Sequence, residues 1–365
     1  MWFGDTQGKA MSWQGIEGHD AIAERFRRAF VRGRIGGTYL FVGPPGIGKR
    51  TFAHKLAQVL LCEKPSKEAF APCNTCSACV QVISGTHPDL LLISKPPDKS
   101  FIPLEMLIGD RSERGTERAG LVGHLALTPF SGRYRVAIID DADYLNLEGA
   151  NALLKTLEEP PATAVLILIS NSPAKQLPTI RSRSQMIRFR PLPEEIAARL
   201  LIEQGIVDNP DWARELIRLA DGSLARAAEL ASQELWELAA KWRKALSTRR
   251  FDVTAWSEEV RGYLESAGKE AAVRRRALQQ LIGLTLEFFR QALRAVVSHS
   301  VQTAATSVGE EVIALLQSTP PLTEDLLHEC LESCLVAYQD VERNINQALL
   351  IDDWLLQLWH LLNAA

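Results

Sequence analysis

Between positions 13 and 190, short apolar runs alternate with stretches of helical period. Residues 38–42 (TYLFV), 135–139 (RVAII) and 164–170 (AVLILIS) are continuous apolar runs, as expected of strands buried on both faces of a parallel sheet. Residues 52–61 and 145–157 repeat their apolar positions at helical spacing, which predicts helices between those strands. The alternation predicts an α/β fold with helices on both sides of the sheet. Pro191 and Pro193 then punctuate the chain. Proline restricts both itself and its predecessor, so the first domain is expected to span residues 1–192. Residues 193–232 have a helical pattern broken at Asp221-Gly222-Ser223, the size of a small helical lid. Residues 233–365 are helical throughout, most strongly at 281–297, 326–341 and 351–362, and are expected to form an all-α association domain. Neither repeats nor low-complexity segments are present.

Composition changes this picture little. The chain has 365 residues, 46% hydrophobic and 23% charged, which suits a globular protein of two or three domains. No run of 18 or more apolar residues occurs, so a membrane span is not expected. Residues 1–10 are polar and lack the layout of a secretory signal, which predicts a cytoplasmic protein, with Met11 an alternative start. A net charge of −3 argues against a surface that wraps DNA as a whole, so any nucleic-acid contact must be local or shared with partners. Two basic stretches, Arg25, Arg27, Arg28, Arg32 and Arg34, then Arg274 to Arg276, read as solvated helix faces. Cys330 and Cys334, four apart in a helical pattern, read as a buried helix face.

The first apolar run leads into Gly43-Pro44-Pro45-Gly46-Ile47-Gly48-Lys49-Arg50-Thr51 and then a helix. This is the P-loop frame G-x-x-x-x-G-K in its proper place between strand and helix. The glycines let the backbone aim its N–H groups at phosphate, the helix N-terminus adds its dipole, and Lys49 is placed to reach the β- and γ-phosphates. A working P-loop has Ser or Thr directly after the lysine to hold Mg²⁺. Here that residue is Arg50, and Thr51 lies about 100° further round the helix. ATP with Mg²⁺ therefore stays an open assignment: Lys49 and the loop amides can bind nucleotide, or the loop is a vestige that binds none.

The second apolar run ends at Asp140, placed to hold a metal's hydration shell, with Asp141 next to it. The third is followed by Asn171, a candidate γ-phosphate sensor or equally a turn cap. Arg181 and Arg183 lie in Thr179-Ile180-Arg181-Ser182-Arg183. A planar, permanently charged fork suits γ-phosphate, although such a segment by itself more often makes a surface salt bridge. Cys62, Cys73, Cys76 and Cys79 are spaced C-x10-C-x2-C-x2-C. Four soft thiolates suit a closed, tetrahedral, structural Zn²⁺ site, and the metal would order an insertion with little core of its own.

Taken together, these stretches resemble the clamp-loader branch of the AAA+ family, which serves bacterial DNA polymerase III. The resemblance rests on the P-loop and four-cysteine module closed by Thr86-His87-Pro88-Asp89, on residues 138–143 continuing into Asn151-Ala152-Leu153-Leu154-Lys155-Thr156-Leu157-Glu158-Glu159-Pro160-Pro161, and on residues 179–183 followed by Ser184, where the family has a Ser-Arg-Cys motif. It is clear over residues 13–232 and thinner beyond, mainly at Glu342-Arg343-Asn344-Ile345-Asn346. It implies an AAA+ module with a zinc insertion at 62–79, a lid at 193–232 and an oligomerising collar at 233–365. It further implies a hetero-pentameric ring with gamma or tau and delta subunits that loads a sliding clamp onto primed DNA. In that ring Arg183 would be a trans arginine finger, completing a neighbour's ATP site. The family's ATPase subunits keep Ser or Thr after the lysine and Glu after the metal-binding aspartate. Arg50 and Asp141 instead favour the ring's stator, a weak ATPase or none. An active gamma-type ATPase is the alternative, and a free-standing zinc-stabilised adapter a third. The lid motif 222–226 carries Arg226 one residue later than the ATPase subunits do, and the stretch around 114–120 is long for the family.

Overall fold

The computed structural model describes residues 12–109, 120–297, 309–318, 322–343 and 345–363. Residues 1–10, most of the 114–120 stretch and Asn344 lie outside the described residues. The chain divides into two compact units, residues 1–196 and 197–365.

The first unit is built on a parallel sheet of five strands: β1 (Gly37–Val42), β2 (Leu90–Ile93), β3 (Arg135–Ile139), β4 (Ala164–Ser170) and β5 (Gln185–Arg188), in the order β2-β3-β4-β1-β5. The three long apolar runs form its centre, β3, β4 and β1, with Tyr39 opposite Ile167 and Val136 opposite Val165. Strand side chains alternate between faces. Tyr39, Phe41, Val136, Ile138, Val165 and Ile167 accordingly join one buried cluster, and Leu40, Val42, Ala137, Ile139, Leu166 and Leu168 another. Continuous apolar runs are what a sheet covered on both faces requires.

Helices α1 (Asp20–Val31) and α2 (Lys49–Leu61) supply Phe26, Phe52, Leu56 and Ala57 to the first cluster. Helix α4 (Leu147–Glu158) supplies Ala150, Leu153 and Leu157 to the second. Between α2 and β2 lies the cysteine segment with α3 (Ser77–Ile83). It is tied to the main core by Phe70, whose ring stacks on Trp13 and whose carbonyl accepts the indole N–H at 2.7 Å. Helix α5 (Pro178–Arg183) leads into β5.

The second unit is helical among its described residues. Its longest helix, Ala271–Val297, packs along Glu324–Glu342, and Gln347–Asn363 packs against the latter. The core holds Trp242, Phe288, Phe289 and Trp354. The Trp242 indole donates to Thr285 Oγ1 at 3.1 Å. Cys330 and Cys334 are fully buried on a helix face, as their spacing predicts, and burial pushes both thiols up to about 12. No described helix is long and apolar enough to cross a membrane.

Candidate functional site

The P-loop residues meet at the C-terminal ends of β1, β3 and β4, where open parallel sheets place their ligands. Gly43 follows β1, and a Cβ there would stand 2.5 Å from the Phe189 carbonyl oxygen, so only glycine fits. Gly46 and Gly48 have φ of +70° and +94°, a region that side chains disfavour. Gly48 is the N-cap of α2, so the unpaired first amides of that helix lie at the end of the loop. Buried His19 lies beneath: its Nε2 donates to the Ile47 carbonyl at 2.7 Å, and its ring meets Phe189 edge-on.

Lys49 is buried and its ammonium is spoken for. It donates to the carbonyls of Gly43 and Pro44 at 2.5 and 2.6 Å and to Asn171 Oδ1 at 3.1 Å. An ammonium has three donors, so this set exhausts it. Burial pulls its pKa down to about 8, against the pull of Asp143 and Asp140. Asn171 is held in place by Asp143, which accepts from Ser170 Oγ, the Asn171 amide at 2.9 Å and Gln176 Nε2 at 3.0 Å. Sequence reading missed His19, which belongs to no spaced motif, and gave Asp143 no role of its own although it lies in the 138–143 stretch.

At the metal position, Arg50 Nη1 lies 3.1 Å from Asp140 Oδ2. Thr51 is exposed. Asp141 sits at φ +60°, and burial, reinforced by Asp140, pushes its carboxyl up. The loop therefore keeps the phosphate-binding frame, while the carboxylate that would face a cation already has one.

Arg183 is exposed at the end of α5, some way along the chain from the loop. Its Nε and Nη2 meet Glu158 Oε1 at 2.9 and 2.7 Å, and its Nη1 donates to the Thr179 carbonyl at 3.3 Å. Ser184, which stands where a cysteine was expected, turns its hydroxyl back to the Ile180 carbonyl at 2.7 Å. Glu158 lies in the Asn151–Pro161 stretch that carried the resemblance, but nothing in the spacing announces its pairing with Arg183.

The four cysteines converge. Their sulfurs all lie within 4.8 Å of one another, with Cys62–Cys76 and Cys73–Cys79 both at 3.9 Å. Zn–S bonds of about 2.3 Å in a tetrahedron need sulfurs about 3.8 Å apart, so the set fits a metal such as zinc. The amides of Cys73, Cys76 and Cys79 point at the sulfurs of Cys62, Cys73 and Cys76 at 3.3, 3.3 and 3.4 Å, as the x2 spacings allow. Such bonds favour thiolate: the amides of Thr75 and Cys76 bring Cys73 down to about 6, whereas burial pushes Cys62 and Cys79 up. The Thr86–Asp89 stretch that closes this segment is structural. Asp89 is fully buried, accepts from the amides of Phe130 and Ser131 at 2.8 and 3.1 Å, and pairs with Arg135 at 3.4 Å.

Of the basic stretches, Arg27 and Arg28 pair with Glu24 on α1 at 2.6 and 2.8 Å. Arg226 is exposed in the helical unit, in the first turn of a helix capped by Ser223, whose side chain accepts from the Arg226 amide.

Residues 18–193, just under half of the chain, match the family described as DNA polymerase III, delta subunit. The delta' subunit of DNA polymerase III from Pseudomonas aeruginosa is 37% identical over 200 residues, 54% of this chain and 57% of that protein. The delta' subunit of Bacillus subtilis is 32% identical over 226 residues, 62% of this chain and 63% of that protein. The tau subunit of Salmonella typhimurium is 31% identical over 231 residues, covering 62% of this chain and 34% of tau. The chain thus spans about three fifths of the length of the delta' relatives it matches. A solved gamma-subunit-related protein of Thermotoga maritima aligns with 93% of the chain at 17% identity and a TM-score of 0.42. The chain is similar to the delta' and gamma/tau subunits of bacterial DNA polymerase III, and matches the delta-subunit family over residues 18–193.

Proposed function

We propose that this chain is the delta' subunit of a bacterial clamp loader: a cytoplasmic stator that hydrolyses little or no ATP itself and supplies Arg183 to the ATP site of a neighbouring gamma or tau subunit. In this reading residues 193–232 act as the lid and 233–365 as the collar. Through the collar the chain joins gamma/tau and delta in a five-membered ring that loads the sliding clamp onto primed DNA. A Zn²⁺ ion held by Cys62, Cys73, Cys76 and Cys79 orders the insertion and takes no part in chemistry.

The observation that carries the reading is a division of labour within one unit. The chain's own P-loop has an arginine on the carboxylate at its metal position, while a second arginine stands exposed on α5, held only by contacts that are themselves exposed. An arginine given in trans is worth about 10³–10⁵ in rate to the site it completes.

Steady-state ATPase of the purified chain, alone and reconstituted with gamma, delta, clamp and primed DNA, tests it. The expected result is near silence alone and stimulation in the complex that Arg183→Ala reduces by about 10³-fold or more while the subunit still assembles. Unchanged complex activity in that variant would sink the trans role. Robust turnover by the isolated chain, lost in Lys49→Ala, would replace this reading with that of a gamma-type ATPase.

A further inference from the structure

A magnesium–nucleotide complex does not fit this P-loop as it stands. The frame that holds Mg²⁺ in such sites is a hydroxyl directly after the lysine and a carboxylate at the end of a second strand of the same sheet. Position 50 offers no hydroxyl, and its guanidinium lies 3.1 Å from Asp140 Oδ2. A hexahydrated or partly dehydrated Mg²⁺ needs oxygen ligands at octahedral positions. Here it would meet a positive charge in the place of one of them.

We propose that Arg50 is a built-in counter-ion that takes the magnesium seat on Asp140, so that this loop does not admit a magnesium–nucleotide complex. The pair is not strong: Arg50 is 66% exposed and Asp140 20%, and exposed ion pairs hold loosely. Exclusion therefore comes less from the strength of the pair than from its chemistry. If the guanidinium swings away, the missing hydroxyl still leaves the metal short of a protein ligand. If it stays, it repels the metal. Lys49 adds a second obstacle, because a phosphate must draw its ammonium off the carbonyls of Gly43 and Pro44. Any nucleotide that does enter meets two cations of the protein and gains nothing from a third.

This inference rests on the non-hydrolysing half of the function proposed above and sharpens it. The two fail separately, because metal dependence of binding to the isolated chain does not involve Arg183.

The test uses the full chain and a fluorescent N-methylanthraniloyl-ADP, titrated in Mg²⁺ and again in EDTA. For the natural chain the expected result is the same affinity within about twofold in both, or equal absence of binding; for Arg50→Thr, which restores the hydroxyl and removes the charge, Mg²⁺ should raise affinity by about tenfold or more. A Mg²⁺-dependent gain in the natural chain, or none in a folded Arg50→Thr, overturns the proposal. A second measurement needs no variant. Mn²⁺ added with ADP to the natural chain should leave the amide signals of Asp140 and Asp141 unbroadened, and selective broadening there would overturn it as well.

Discussion

The contact between Arg183 and Glu158 has a consequence for how an arginine could work in trans. Arginine carries about 2 kcal/mol of rotamer entropy. Glu158 engages its Nε and Nη2, and Nη1 lies 3.3 Å from both the Thr179 carbonyl and Ser182 Oγ, so one N–H of Nη2 is left to reach a phosphate. The pair thus pre-orders the side chain without consuming it. Glu158→Gln should cost the isolated subunit under about 0.5 kcal/mol of stability, as exposed pairs do. In the reconstituted complex it should lower ATPase about three- to tenfold, far less than Arg183→Ala, because only the ordering is lost. A melting temperature unchanged beside unchanged complex ATPase would leave Glu158 as an ordinary surface ion pair. The sequence reveals Arg183 through its motif and Arg50 as a mismatch in a known frame. It does not reveal what each arginine pairs with. Position 140 is 90 residues from position 50, and 158 is 25 from 183. No helical or strand period relates such distances; only the sheet topology does.

At the scale of elements, legibility follows length and burial. The three central strands are read from sequence almost residue for residue, because each is a continuous apolar run buried on both faces. The flanking strands Leu90–Ile93 and Gln185–Arg188 are not read, because four residues make too short a window and the latter buries only Ile187 fully. Their pairing is set by neighbours rather than by their own pattern. The cysteine module is the opposite case, being legible from chemistry alone. Its own apolar core is small, and Phe70 carries its packing onto Trp13 and Phe30. A metal that binds only the folded arrangement contributes its binding free energy to order. The natural chain should hold about one equivalent of zinc. Chelation, or Cys79→Ser, should release the metal and raise amide hydrogen exchange across residues 62–83, while β1, β3 and β4 keep their protection. Exchange in the module that is indifferent to metal would mean that Phe70 and the amide–sulfur bonds suffice to order it.

The whole molecule is two units, each packed on buried residues of its own, and that separation makes a point about where function can be lost. The P-loop, Arg183 and the cysteines all belong to the first unit. The second carries no cluster of metal-ligating residues among those described, and in the proposed reading a lesion there acts through assembly. Trp354 is the sharpest place to test this. It is among the largest fully buried side chains, its ring lies 6.1 Å from that of Trp242, and its indole points at Cys334 Sγ at 3.5 Å. Truncating a buried tryptophan costs about 3–5 kcal/mol through lost transfer energy and the cavity left behind. Because cooperative units open separately when each has its own core, Trp354→Ala should speed exchange through the helices of residues 233–363 while the sheet of residues 37–188 stays protected and the zinc content stays the same. If residues 233–365 are the collar, the variant should also fail to co-purify with gamma/tau and delta at temperatures where its first unit remains folded. Retained assembly with the second core loosened would mean that the ring is gripped by the first unit, and the collar assignment would fall while the role of Arg183 could still stand.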